Sequence, residues 1–309
     1  MMILKDYTFI TVALGCLALG GVSGVIGSFA VLRKQSLLGD GVSHSALPGV
    51  VAAFLLTGIK NTAVLLAGAL FSGLLAALLI SFSVKKTKIR FDAALATVMS
   101  SFFGLGTVLL TCAQKLPDST QAGLSAFIYG QASAMLKSDI ILIFGCSAFL
   151  LLGVILFWKE FKVFSFDKEF AVQSGYPEKP LSLILSFMTV ITVILGIQTV
   201  GVVLMSAMLI APAAAARQWS DRLGIMVILA AIFGGVSGVL GAYASAMGEG
   251  LPTGPAIVVA SGVMVVLSVL FAPKRGAVSR IMKRKMNRLR LTVSFDGGNN
   301  DIKGRGGKQ

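Results

Sequence analysis

Residues 223–248, LGIMVILAAIFGGVSGVLGAYASAMG, contain no acidic or basic side chain. A helix of that length passes the roughly 20 apolar residues needed to cross a bilayer. Three further stretches are equally free of charge, at 7–32, 61–84 and 181–216. Hydrophobic residues make up 56% of the chain and charged residues 13%, with a mean hydropathy of +0.88. Soluble domains hold roughly 45–50% apolar and 25% charged residues. The composition predicts an all-α, polytopic membrane protein and excludes an ordinary soluble enzyme. The first stretch lacks a positive n-region and a small-residue cleavage site, so it reads as a mature span.

The formal charge of +14 does not point to nucleic acid, because of where it lies. After Ala272 there are eleven Lys and Arg against Asp296 and Asp301, a net of +9. Other basic residues gather at Arg33 and Lys34, at KKTKIR (85–90), at 159–179, and at Arg217 and Arg222. If all of these face the cytoplasm, only Lys5, Lys60, Lys115 and Lys137 lie outside, the asymmetry of the positive-inside rule. About nine crossings follow, near 7–32, 36–58, 61–83, 92–112, 139–158, 181–197, 199–216, 223–245 and 254–272. This count places the N-terminus outside and the C-terminus in the cytoplasm. Residues 181–216 read as two short helices interrupted at Gln198-Thr199, and 113–138 as an external connection. Residues 1–276 form the transmembrane domain, and 277–309 a basic cytoplasmic tail, in part disordered, whose RIMKRKMNRLR stretch is able to rest on lipid headgroups.

GGVSGVIGSFA (20–30) nearly repeats as GGVSGVLGAYA (234–244), and the two run in opposite directions in this topology. Small residues at such spacing mark close helix approach, which is the reading taken here over duplication. Cys16, Cys112 and Cys146 are isolated, so neither a thiolate cluster nor a disulfide framework is expected. The twelve methionines read as packing residues.

Within the second span, LLGDGVSHSALPG (37–49) places Asp40 four residues before His44, the only histidine of the chain. On a helix, positions i and i+4 share a face with Cβ atoms about 5–6 Å apart. A divalent cation with ligand bonds near 2.0–2.2 Å is able to bridge them. Pro48 cannot donate to the His44 carbonyl and so predicts a kink there. Ionisable groups inside a membrane are costly and mark pathways or sites. Asp92, right after a basic run, reads as a favourable acid at a helix N-terminus.

These residues also carry a family likeness. LLGDGVSHSALPGVVAAFLL (37–56), VGVVLMSAMLIAPAAAARQWSDRLG (200–224) and LPTGPAIVVASGVMVVLSVLFAPKRG (251–276) resemble the permease subunits of bacterial ABC transporters for manganese, zinc and iron. FDKEFAVQSGYP (166–177) resembles the cytoplasmic segment before that family's sixth span. The resemblance runs from Tyr7 to Gly276. It implies an ABC importer permease of the metal-uptake class in the bacterial plasma membrane, paired with a second permease subunit as a homodimer or heterodimer. Metal would arrive from an extracellular metal-binding protein, and separate ATPase subunits would drive transport. The divalent ion is cargo, and no prosthetic group is expected.

The Asp-x-x-x-His pair that lines the family's metal pathway falls on Asp40 and His44. The ATPase-contacting segment after LIAP falls on 213–223, with Ala213, Ala216, Arg217, Trp219, Asp221 and Arg222 as the contact residues. Glu249 is a candidate entry residue at an outer helix end. No G-x-x-x-x-G-K-[ST] motif occurs, so the chain has no P-loop of its own. An ion-coupled secondary transporter is the alternative. An intramembrane serine protease using a GVSG serine, Ser23 or Ser237, with His44 is the weaker rival.

Overall fold

With no water in the hydrocarbon region, a spanning segment must satisfy its own backbone hydrogen bonds, and a helix does so within one segment. The computed structural model describes residues 7–58, 61–115, 135, 137–248 and 251–279. Their regular elements are helices: α1 (Tyr7–Leu32), α2 (Leu38–Ser45), α3 (Leu47–Thr57), α4 (Thr62–Lys86), α5 (Phe91–Gln114), α6 (Lys137–Leu156), α7 (Trp158–Phe166), α8 (Lys168–Gln173), α9 (Glu178–Val200), α10 (Val202–Trp219), α11 (Leu223–Met247) and α12 (Thr253–Phe271). Seven of these are long and apolar enough to cross a membrane, namely α1, α4, α5, α6, α9, α11 and α12. The two further crossings expected from the sequence fall on the broken α2–α3 segment and on α10, neither of which is among these seven.

Both breaks have local causes. The second span divides at Ala46 instead of bending smoothly, and Pro48 sits in the first turn of α3, where its missing N–H costs nothing. The 181–216 stretch divides at Gly201, three residues beyond the expected interruption. Gly201 has φ 95°, which an L side chain rarely adopts.

The framework is built on small residues. α1 and α11 run antiparallel, with Gly20 against Gly234, Gly24 against Ala230 and Gly238 against Cys16, all at backbone contact. Gly27 meets the Leu209 carbonyl of α10 in the same way, and Gly49 of α3 faces Gly68 of α4. Such approaches replace the hydrophobic drive that is missing between helices in lipid with dispersion contact. The two glycine-rich stretches singled out in the sequence are therefore packing partners.

The helix ends with basic residues collect on one face. α1 closes with Gln35 N–H donating to the Ala30 carbonyl at 2.9 Å and Lys34 N–H to Val31 at 3.2 Å. Lys34 takes the left-handed position of this motif at φ 57°. Glycine usually holds it, and a side chain there costs about 1–2 kcal/mol. Lys85 and Lys86 lie in the last turn of α4, where the helix dipole favours cations. Asp92 lies in the first turn of α5, as expected of an acid there. Most of the connection 113–138, Glu249, and the tail from 280 fall outside the described residues.

Candidate functional site

α2 is a short helix with two unlike faces. Leu38, Gly39, Val42 and Ser43 are buried. Gly39 lies against Leu209 of α10 and Val193 of α9, and Val42 reaches the Gly73 position of α4. Ser43 Oγ donates back to the Gly39 carbonyl at 2.8 Å, and Ser72 of α4 donates to the Ser45 carbonyl. Held on that side by three helices, α2 turns Asp40 and His44 to the other.

His44 Nε2 stands 3.7 Å from Asp40 Oδ1, with the side chains 27% and 36% exposed. That separation exceeds a hydrogen bond. It lies close to the roughly 3.4 Å that two ligands subtend at a tetrahedral centre with bonds of about 2.1 Å. The imidazole meets the Phe103 ring of α5 edge to face at 5.4 Å, which restricts its rotation. Leu95 of α5 packs at Gly41. Among the described residues no group of three or more His, Cys, Asp or Glu side chains converges, so the pair brings two candidate ligand groups together and no third. The three cysteines take no part in disulfides.

The end of α10 and the turn after it, residues 213–223, differ in part from the contact expected there. Ala213 and Ala216 are fully buried within the chain, Ala213 near Gly27 and Ala216 packed with Met226 and Ala230. In this structure both are packing positions with no surface free for another subunit. Arg217 is half-buried, and Trp219, Asp221 and Arg222 are exposed. Trp219 meets Phe233 edge to face at 6.1 Å. Asp221 is bound to the C-terminal side of the chain, accepting from Arg275 at 2.7 Å and Lys274 at 3.3 Å. The Lys274 hydrogen bond, aided by the charge of Arg275, holds its carboxyl below the ordinary value. Glu249 lies outside the described residues.

A second surface holds none of the candidate site residues. α7 and α8 form a short helical elbow between α6 and α9. Asp167 caps α8 by accepting from Phe170 N–H at 2.9 Å, and Lys168 pairs with Glu178 at 2.9 Å. The elbow exposes Phe166, Phe170 and Val172 on helices too short to span a membrane. Its sequence signal is an apolar residue every few positions among charged ones, FDKEFAV, directly before an apolar span.

Residues 5–272 match the ABC 3 transport family. The zinc transport system membrane protein TroC of Treponema pallidum is 46% identical over 285 residues, which is 92% of this chain and 96% of that protein. The manganese transport system membrane protein MntC of Bacillus subtilis is 46% identical over 280 residues, 91% of this chain but 64% of that longer protein. Among solved structures, PsaBC from Streptococcus pneumoniae in complex with Fab superposes with a TM-score of 0.78 at 30% identity, covering 91% of this chain and 96% of that one. A metal-chelate type ABC transporter in an inward-facing conformation shares the fold at a TM-score of 0.66 and 15% identity, over 84% of this chain and 85% of its own. On the strength of a match over nearly all its spans, this chain is an integral membrane protein of the ABC 3 transport family.

Proposed function

We propose that the chain is the membrane permease of an ATP-driven importer of a divalent transition metal, manganese or zinc, with Asp40 and His44 on the ion's path. The observation that carries this reading is the 3.7 Å Asp40–His44 pair on one face of a short helix inside the apolar bundle. An acid and an imidazole with about a third of their surface free are not tolerated against lipid. They face either a water-filled path or a second permease subunit. Two ligands are also too few, because a transition metal of this class takes four or more. A second copy or a homologous subunit presenting the same pair would complete the set. Carboxylate and imidazole suit both manganese and zinc, and the named relatives divide between these two metals.

The energy source lies in other polypeptides, ABC ATPase subunits docked on the face that carries Arg217, Arg222 and Lys274. The exposed Phe166, Phe170 and Val172 of the α7–α8 elbow, with Trp219 and Arg222 beside α10, supply an apolar and basic contact surface there. An extracellular metal-binding protein delivers the ion at the opposite face. Residues 1–276 form the permease unit, and the basic tail from 277 stays cytoplasmic near anionic headgroups. The protease alternative gains no support, since Ser23 and Ser237 are fully buried and Ser237 donates to the Gly234 carbonyl. Radiolabelled manganese and zinc uptake by cells expressing the chain with its neighbouring subunits tests the reading. Uptake of either ion that needs both ATP and the intact Asp40–His44 pair supports it, and uptake independent of an ATPase overturns it.

A further inference from the structure

A cavity of about 390 Å³ opens among the ends of α1 and α4, the start of α5, α7 and the start of α9. Arg33, Lys34, Lys85 and Lys168 line it, against the single carboxylate of Glu178. Glu178 is already engaged with Lys168. Among the described residues no carboxylate pairs with Arg33, Lys34 or Lys85.

Arg33 is half-buried. It donates to Ser182 Oγ at 3.0 Å and lies over the Phe164 ring at 4.8 Å, both neutral partners. Burial pushes its pKa down to about 10, with Glu178 acting in the opposite sense. A partly desolvated cation whose only nearby carboxylate is already paired with a lysine is costly. On the same wall Ser165 is buried, and its hydroxyl has no hydrogen-bond partner among the described residues. Lys34 is held at the left-handed position where glycine is the unstrained choice, which keeps a third cation at the rim. Guanidinium, ammonium groups and a spare hydroxyl together match a phosphate oxygen cluster.

The membrane side of the cavity indicates where the phosphate comes from. Phe71, Leu75, Leu78 and Phe82 are exposed along one face of α4, which leads to the cavity residues Ser81, Val84 and Lys85. At 1.5 Å per residue that stripe runs for about 16 Å, roughly half of a hydrocarbon core of about 30 Å. A free phosphate would use the cavity and ignore the stripe, whereas a lipid uses both. We propose that this cavity binds the phosphate of an anionic lipid of the inner leaflet, with an acyl chain laid along Phe71, Leu75, Leu78 and Phe82. Basic pockets between membrane helices are suited to such headgroups.

Native mass spectrometry of the full-length chain, delipidated in detergent and titrated with phosphatidylglycerol or with phosphatidylcholine, tests the assignment. The Lys34→Gly and Lys85→Gln double variant removes two cations at exposed positions, and Lys34→Gly also relieves the left-handed backbone. Wild type should retain one more phosphatidylglycerol per chain than the variant. The affinity for that first lipid should drop about tenfold or more, while phosphatidylcholine binding stays unchanged and the melting temperature does not fall. Excess inorganic phosphate should not displace the bound lipid. Equal phosphatidylglycerol retention by wild type and variant, or equal retention of the two lipids, would overturn the proposal. Displacement by inorganic phosphate would overturn it in favour of a free-anion site. Unchanged lipid binding with loss of a co-purifying ATPase subunit would overturn it in favour of a protein carboxylate.

Discussion

Gly20 of α1 and Gly234 of α11 meet backbone to backbone, so that a methyl group added to either would overlap the carbonyl oxygen of the other. Gly24 with Ala230 and Gly238 with Cys16 continue the same antiparallel register. Because this contact joins the N-terminal and C-terminal parts of the bundle, Gly234→Val should force the two helices apart. Overpacking costs typically about 1–3 kcal/mol. The expected outcome is a lower melting temperature of the detergent-purified protein and reduced membrane abundance. Val substituted at Gly262, where a side chain meets open space, should leave both measures unchanged.

A pH-dependent contribution is expected from Asp221. Its carboxyl is held below the ordinary value of 3.8 by the Lys274 hydrogen bond and the charge of Arg275. A depressed acid stabilises the folded state above its unfolded pKa, and that stabilisation is lost as pH falls through the folded one. Asp221→Asn should therefore lower the melting temperature slightly at neutral pH, and the gap to wild type should close below pH 3.8. The pair is exposed, so the neutral-pH gap should also shrink at high salt.

Docking of the motor is predicted to depend on the α7–α8 elbow as well as on the end of α10. Phe170→Glu places a charge on an exposed apolar contact and should release the ATPase subunits from the purified complex or uncouple hydrolysis from transport. Reversing Arg217 and Arg222 together should weaken the same association. Pull-down stoichiometry and metal-stimulated ATP hydrolysis measure both effects. Full coupling in both variants would remove this face from the account.

Much of the bundle is legible in the sequence because charge is so scarce in it. The uncharged runs 7–32 and 223–248 become α1 and α11, and the basic clusters fall at helix ends that share a face. The polar Gln198 suggests an interruption there, whereas the backbone turns where Gly201 permits a positive φ. The family likeness puts the ATPase contact on the segment after LIAP, Ala213 and Ala216 included, yet both are buried within the chain. Which side of a helix faces inward depends on neighbours distant in sequence, here Gly27 and Met226. The Asp40–His44 pairing followed from spacing alone, since i and i+4 share a face whatever the tertiary fold. Its partial exposure and its contact with Phe103 needed the packing of α5.

Initial-rate uptake of manganese and zinc by the assembled transporter carrying Asp40→Ala or His44→Ala measures whether these two side chains hold the ion in transit. Loss of an outer-shell partner alone typically costs about 10–100-fold in metal affinity or activity. Removing a direct ligand should therefore lower the uptake rate at least about tenfold. Both side chains are partly exposed and neither anchors α2, so the variants should reach the membrane and co-purify with the ATPase at wild-type stoichiometry. Wild-type uptake by either variant in a fully assembled complex would contradict the account.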